Sequence, residues 1–121
     1  MDYNKKHRLL DTTLGEWLHS FPNNLDADAV GLWQIIPTGR TEFELEGKDL
    51  QEFTRQALQG LFRRGVLPVL GHSGRWIVDP SYGAVEKEII SNILAKWTDE
   101  GSPEPDVEDV WFVLKEFAEL G

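Results

Sequence analysis

The 121-residue chain carries a formal net charge of −9, contains no cysteine, and is 40% hydrophobic and 27% charged. The lack of cysteine excludes disulfides, zinc–thiolate sites, iron–sulfur clusters and a Cys nucleophile. The hydrophobic share is that of a folded globular protein and excludes a disordered chain. We expect a single domain over residues 1–121, because two separate cores in a chain of this length would each be marginal.

The hydropathy of the chain predicts a cytoplasmic protein. The first residues run straight into an amphipathic pattern and lack the uninterrupted apolar stretch of a signal peptide. No apolar run approaches the roughly 20 residues that a membrane-spanning helix needs. We therefore expect no membrane partner.

The first predicted element is an amphipathic helix. Thr13 and Glu16 have the spacing of a capping box, so the regular helix begins either there or earlier along its apolar stripe. Pro22-Asn23-Asn24 is expected to end it. The stripe consists of Leu10, Leu14, Trp17, Leu18 and Phe21.

The next segment fits two structures. Residues 29–36 fit a helix with Asp26 and Asp28 near its first turn, and they also fit a buried strand over residues 30–36. The acidic first turn favours the helix. Residues 42–46 then alternate polar and apolar side chains, which predicts a short half-buried strand.

A long helix and a hairpin follow. Over residues 48–64 the apolar side chains recur at offsets 0, 3, 7, 8, 11 and 12 from Leu50, which predicts a helix. Two short apolar runs over residues 66–70 and 75–79 flank Gly71-His72-Ser73-Gly74. This pattern predicts a hairpin with a four-residue, glycine-bracketed connection.

Two further helices are predicted in the last third of the chain. One begins near Ser81, ends at Gly101 and is expected to bury Val85, Ile89, Ile90, Ile93, Leu94 and Trp97. The other has Asp106 as its N-cap, although residues 110–114 alone also fit a strand. Its stripe consists of Val107, Val110, Trp111, Leu114, Phe117 and Ala118.

These elements predict an α+β fold with about five helices and a small antiparallel sheet around the hairpin. The order of elements in residues 26–79 resembles a winged helix, in which one helix enters the major groove of DNA and the hairpin forms the wing. The resemblance rests on topology, and winged helices also serve as protein-binding modules. It implies that phosphates would be contacted by Arg55, Arg63, Arg64 and Arg75, flanked by Arg40 and His72.

DNA binding is nevertheless the second hypothesis, because the charge of this region is nearly balanced. Residues 40–75 carry a net charge of only +1, whereas phosphate binding uses a concentrated basic stripe. Arg63 and Arg64 also suit the negative end of a helix dipole, and Arg55 fits a solvated position. Residues 76–121 carry a net charge of −8, which repels nucleic acid and attracts basic protein surfaces.

The strongest acidic stretch is the other candidate site. It is either a solvated loop or a docking surface for a basic protein, since complementary charge speeds encounter and sets specificity. Its members are Asp99, Glu100, Glu104, Asp106, Glu108 and Asp109, with no base between them.

In size, acidity, lack of cysteine and lack of an enzyme motif, the chain resembles the small acidic immunity proteins of bacteria. The resemblance implies a cytosolic domain that binds a cognate toxin, often a basic nuclease, and neutralises it by covering its active site. It also implies an aromatic anchor such as Trp111 or Phe112 at the centre of the surface. Phe112 lies off the main stripe of the last predicted helix, so exposure and burial are both open. We expect all five tryptophans to be explained by core packing.

Catalytic and metal-binding motifs are not found. Asp26, Asp28 and Gly31 match positions 1, 3 and 6 of a calcium loop, but Pro37 stands at position 12, where a bidentate Glu is required. The histidines lack metal-ligand spacing. His72 and Ser73 are adjacent in a turn and cannot act as base and nucleophile. We predict no cofactor, no metal and no enzyme activity, with protein binding as the first hypothesis.

Overall fold

The structure is a computed structural model that describes residues 1–120, and these residues form a mixed, α+β fold. They contain four α-helices rather than about five: α1 (Leu14–Ser20), α2 (Leu32–Pro37), α3 (Gly47–Arg63) and α4 (Glu86–Asp99). Four strands form one antiparallel sheet in the order β1-β4-β2-β3. The strands are β1 (Val30–Gly31), β2 (Val66–His72), β3 (Arg75–Val78) and β4 (Trp111–Leu114).

Helix α1 begins at Leu14 because Thr13 and Glu16 form the predicted capping box. Thr13 Oγ1 accepts from the Glu16 N–H at 3.1 Å, and Glu16 Oε1 accepts from the Thr13 N–H at 2.9 Å. The hydrogen bond from the Thr13 backbone lowers the pKa of the Glu16 carboxyl group. Leu10, before the cap, is exposed. The helical conformation does not end at Pro22. A 3-10 helix follows α1 directly and covers Phe21–Asp26.

We expect Thr13→Ala to lower the free energy of unfolding by about 1 kcal/mol, because the Glu16 amide loses its acceptor. The lowered pKa of Glu16 means that the capping contribution is present above the ordinary pKa of glutamate and is lost as the pH falls through the folded-state value. The backbone hydrogen bond is kept in the variant, but the Thr13 side chain also lowers the pKa of Glu16, and that part is lost, so the difference in stability between variant and wild type should narrow in acid. Denaturant titration at several pH values measures the difference in the free energy of unfolding. An equal loss of stability in Thr12→Ala would contradict the capping role of Thr13.

Residues 29–36 combine the two structures that the sequence allowed. Val30 and Gly31 form the short strand β1, which pairs with Phe112 and Trp111 of β4. The helix α2 then begins at Leu32, and the Gly31 N–H donates to Gln34 Oε1 at 2.7 Å. The strand hypothesis is therefore correct for Val30 and Gly31 and the helix hypothesis for residues 32–36, while Ala29 belongs to neither element.

The strand predicted over residues 42–46 is absent. Phe43 and Leu45 are buried, as the alternation indicated, but their N–H groups donate to carbonyls of the preceding π-helical turn, Thr38–Glu42. Glu44 between them has φ 53°, in the left-handed region. A chain folded back on the preceding turn, rather than a strand, produces the alternating burial.

The long helix and the hairpin are confirmed, with a shorter connection in the hairpin. His72 pairs with Arg75, so the turn contains only Ser73 and Gly74, with φ 52° and 75°. Two positive φ angles are those of a type I′ turn, whose twist matches that of the flanking strands. The first strand of the hairpin therefore extends two residues further than its apolar run indicated, whereas the second ends one residue earlier.

Helix α4 starts later than predicted. A 3-10 helix occupies Pro80–Tyr82, and α4 begins at Glu86 with Val85 as its N-cap. Val85 is exposed rather than buried, because it precedes the first turn. The remaining stripe packs inward as predicted, with Ile89, Ile90, Ile93 and Trp97 buried and Leu94 partly buried.

The last predicted helix is wrong, and the strand that residues 110–114 also fitted is correct for Trp111–Leu114. Trp111–Leu114 form β4, an inner strand of the sheet between β1 and β2, and a 3-10 helix follows over Lys115–Phe117. An inner strand with apolar side chains on both faces reads as a continuous apolar run, which periodicity alone does not distinguish from a buried helix. Val107 and Phe117, placed on the buried stripe, are each 61% exposed.

The main hydrophobic cluster draws side chains from all four helices and from β1, β2 and β4. Phe112 and Val66 point into this cluster, whereas Val113 and Val69 are buried outside it. Since side chains alternate across a sheet, Trp111 lies on the same outer face as Val113. The outer face of the sheet therefore carries the chain's second apolar group.

Candidate functional site

Three tryptophans lie side by side at the outer face of the sheet. Trp111 is in β4, Trp76 is in β3 and Trp33 is in the first turn of α2. The ring centroids of Trp33 and Trp111 are 5.9 Å apart in an edge-to-face arrangement, and those of Trp76 and Trp111 are 5.4 Å apart. Each ring keeps part of its surface in solvent. We call Trp33, Trp111 and Trp76 the tryptophan row.

Gly31 allows Trp33 to fold back toward the sheet. A Cβ atom at position 31 would lie 2.4 Å from Cδ1 and 2.6 Å from Nε1 of the Trp33 ring. A Cβ atom at these separations would overlap the ring, so only glycine permits the observed edge-to-face contact of Trp33 with Trp111. The absence of a side chain at Gly31 is therefore part of the geometry of the row.

We expect Gly31→Ala to move the Trp33 ring outward and to change the near-ultraviolet circular dichroism of the protein. The ring is 36% exposed, so it has room to move and the core is left in place. Gly71→Ala is the matched control, because a Cβ there meets Trp76 only at an ordinary contact distance of 3.4 Å. An unchanged spectrum for Gly31→Ala would contradict the close contact of the Trp33 ring with Gly31.

The acidic stretch, residues 99–109, forms the connection between α4 and β4, and we call it the acidic loop. The Trp97 indole N–H donates to the Pro103 carbonyl at 2.8 Å, and the Trp111 indole N–H donates to the Val107 carbonyl at 2.8 Å. The second bond fixes the loop directly to the tryptophan row. Val107, 61% exposed, extends the apolar surface of the row into the loop.

The six carboxylates of the acidic loop have different local roles. Asp109 Oδ2 accepts from the Asp106 N–H, and Asp106 Oδ1 accepts from the Glu108 N–H, both at 2.8 Å. Glu104 forms an ion pair with Arg40 at 2.9 Å. Within residues 1–120, the other three form no ion pair, and they are all exposed: Asp99, Glu100 and Glu108. Arg40 and Lys96, which lies near Glu100 and Asp109, are thus two bases against six acids, and the loop keeps a negative charge.

Phe112 is not an exposed anchor, which corrects one of the predicted site residues. Its side chain is 0% exposed and packs edge-on against Phe62 at a centroid distance of 6.0 Å. The pleat of β4 turns Phe112 into the core and its neighbour Trp111 outward. Of the two predicted anchors, Trp111 is therefore the one at the surface, and sequence reasoning missed Trp33 and Trp76 beside it.

The arginines proposed to contact phosphates are mostly paired with carboxylates. Arg55 donates to Glu52 at 2.9 Å, and Arg75 donates to both oxygens of Glu119 at 2.9 and 2.8 Å. Arg55 holds the pKa of Glu52 below its usual value, and Arg75 does the same for Glu119.

The remaining basic candidates do not form a stripe either. Arg64 donates to Asp26 and to the Pro22 carbonyl, the latter at 3.2 Å. Arg63 is exposed and forms no ion pair within the described residues, while His72 lies at the exposed hairpin turn. Most of the positive charge available for a phosphate backbone is therefore neutralised inside the chain.

The described residues contain no group of three or more side chains placed to hold a metal ion. Among their helices, none combines the length and the apolar content needed to cross a membrane. Comparisons with protein-family models, with curated proteins and with solved structures find no match for this chain.

Proposed function

We propose that this chain is a protein-binding module that recognises a basic protein through the tryptophan row and the acidic loop. The observation that carries the proposal is the bond between Trp111 and Val107, which joins a partly exposed aromatic group to a loop with unneutralised carboxylates. Tryptophans packed at the centre of a polar rim are typical of binding hot spots. The negative rim selects a positively charged partner and speeds its approach.

In its most specific form, the proposal is an immunity-type protein that neutralises a basic toxin by occlusion. The acidic loop then occupies the place of the phosphates of the toxin's nucleic-acid substrate, and no chemistry by this chain is needed. An equimolar amount of the protein should abolish the nuclease activity of the captured partner. A partner that keeps full activity in the complex would contradict this form.

The first test is capture of the partner by the tagged protein from lysate of the source organism at moderate salt, with and without nuclease treatment. Mass spectrometry should identify one basic protein in near-equal amount in both samples. Recovery of nucleic acid, with the protein signal lost after nuclease, would contradict the proposal.

The matched variants for this capture are Glu108→Lys and Glu44→Lys. Both raise the net charge of the chain by two, but only Glu108 belongs to the acidic loop. The Glu108 side chain makes no hydrogen bond in the described structure, so its reversal leaves the Asp106–Asp109 contacts intact. We expect Glu108→Lys to weaken capture and Glu44→Lys to retain it. Equal capture by both would show that the acidic loop is not the contact surface.

A second candidate, a winged-helix regulator that binds DNA, is favoured by one observation. The helices α2 and α3 are followed directly by the β2–β3 hairpin, as in a helix-and-wing arrangement, although β4 separates β1 from the hairpin. Because most of its arginines are paired, we expect no saturable binding of labelled duplex DNA. Binding that falls steeply with salt and is lost in Arg63→Glu would support this candidate instead.

A further inference from the structure

A cavity of about 230 Å³ opens next to the tryptophan row. Its apolar wall is formed by outer-face residues of the sheet, the end of β4, the 3-10 helix that follows β4, and Leu25: Trp76, Val113, Leu114, Phe117 and Leu25. Its other wall is the loop over residues 26–29, just before β1. Small-molecule sites usually measure roughly 300–1,000 Å³, so this cavity is of the size that takes one long side chain.

The two acidic residues of the cavity differ in their partners. Asp26 is bound by the guanidinium group of Arg64. Asp28 is exposed and forms no ion pair within residues 1–120, and only its Oδ1 is used locally, as acceptor of the Ala29 N–H at 2.7 Å. The cavity therefore presents one free carboxylate oxygen beside an apolar wall and an indole ring.

We propose that this cavity receives an arginine side chain of the basic partner, an inference that rests on the proposed protein-binding function. The methylene stem packs on the apolar wall, as long basic side chains do. The planar guanidinium group stacks on the Trp76 ring and donates to Asp28. A lysine ammonium is more strongly hydrated and does not stack in this way, so the site favours arginine over lysine.

The test is a nuclear magnetic resonance titration of the isotope-labelled protein with Nα-acetyl-arginine amide. The Trp76 indole N–H and the Ala29 amide should shift in a saturable manner. Nα-acetyl-lysine amide and the uncharged Nα-acetyl-norleucine amide should bind more weakly. Asp28→Asn should weaken arginine binding on the order of threefold, as expected for one partly exposed charge contact. Asp49→Asn, which removes the same charge at an exposed position in the first turn of α3, should not.

A second measurement uses the captured partner itself. Asp28→Asn should bind it about threefold more weakly than wild type. Wild-type affinity of this variant, or arginine shifts that norleucine or lysine matches, would overturn the arginine site. Such a failure leaves the protein-binding function standing, because that function is tested by partner capture and its loss in Glu108→Lys. Conversely, failure to capture a protein partner would overturn the protein-binding function, whatever the arginine titration shows.

Discussion

Phe112→Ala should lower the free energy of unfolding by about 3–5 kcal/mol, a large part of the total stability of a domain of this size. The Phe112 side chain is 0% exposed, stands in the inner strand β4 and packs against Phe62. Its removal leaves a cavity between the sheet and α3 that rigid neighbours do not fill. Denaturant unfolding at low temperature, where the variant still folds, measures the loss.

Phe117→Ala is the matched control for this loss. Phe117 is the same residue type five positions later, but it is 61% exposed, and a surface position usually changes stability by about 0.5 kcal/mol or less. A small loss in Phe112→Ala accompanied by loss of partner capture would place Phe112 at the surface after all. The pair of substitutions thus compares a buried phenylalanine in β4 with an exposed one in the 3-10 helix that follows.

Trp33→Ala should weaken the affinity for the captured partner by about 30-fold, which corresponds to about 2 kcal/mol and to the threshold of a hot spot. The ring contacts Trp111, lies over Gly31 and keeps 36% of its surface for a partner. Because it is not part of the main hydrophobic cluster, the variant should fold normally. Calorimetric titration of the purified partner measures the change.

Leu10→Ala is the control for the tryptophan substitution. Leu10 is also an exposed apolar side chain, but it belongs to the segment before α1 and lies outside the tryptophan row. We expect wild-type affinity for Leu10→Ala. Equal affinities for both variants would show that Trp33 is not a contact residue.

The elements that sequence predicted well depend on local signals. The capping box of Thr13 and Glu16 involves residues three positions apart, and the apolar stripe of α3 lies within one continuous segment. The strand β4 depends instead on distant partners, since Phe112 pairs with Val30 on one side and with Pro68 on the other. No local pattern specifies those neighbours, and the apolar run of β4 fits a helix equally well.

The sequence predicts the negative charge of the candidate site but not the arrangement of its tryptophans. The acidic stretch is contiguous in sequence, whereas the tryptophan row joins residues 33, 76 and 111 through strand register. Each of these tryptophans also fits a core position, so sequence reasoning assigned all five to the core. The pairing of Arg75 with Glu119 and of Arg64 with Asp26 is likewise non-local, so the sequence alone does not show that these arginines are paired with carboxylates.

The measurement that tests the central claim most directly is hydrogen–deuterium exchange of the protein with and without its captured partner. We predict slower exchange on binding in the acidic loop and in residues 26–29, with no change at the hairpin turn or in the carboxyl-terminal half of α3. Protection of the hairpin turn and α3, with unchanged exchange in the acidic loop, would contradict the tryptophan row and acidic loop as the binding surface.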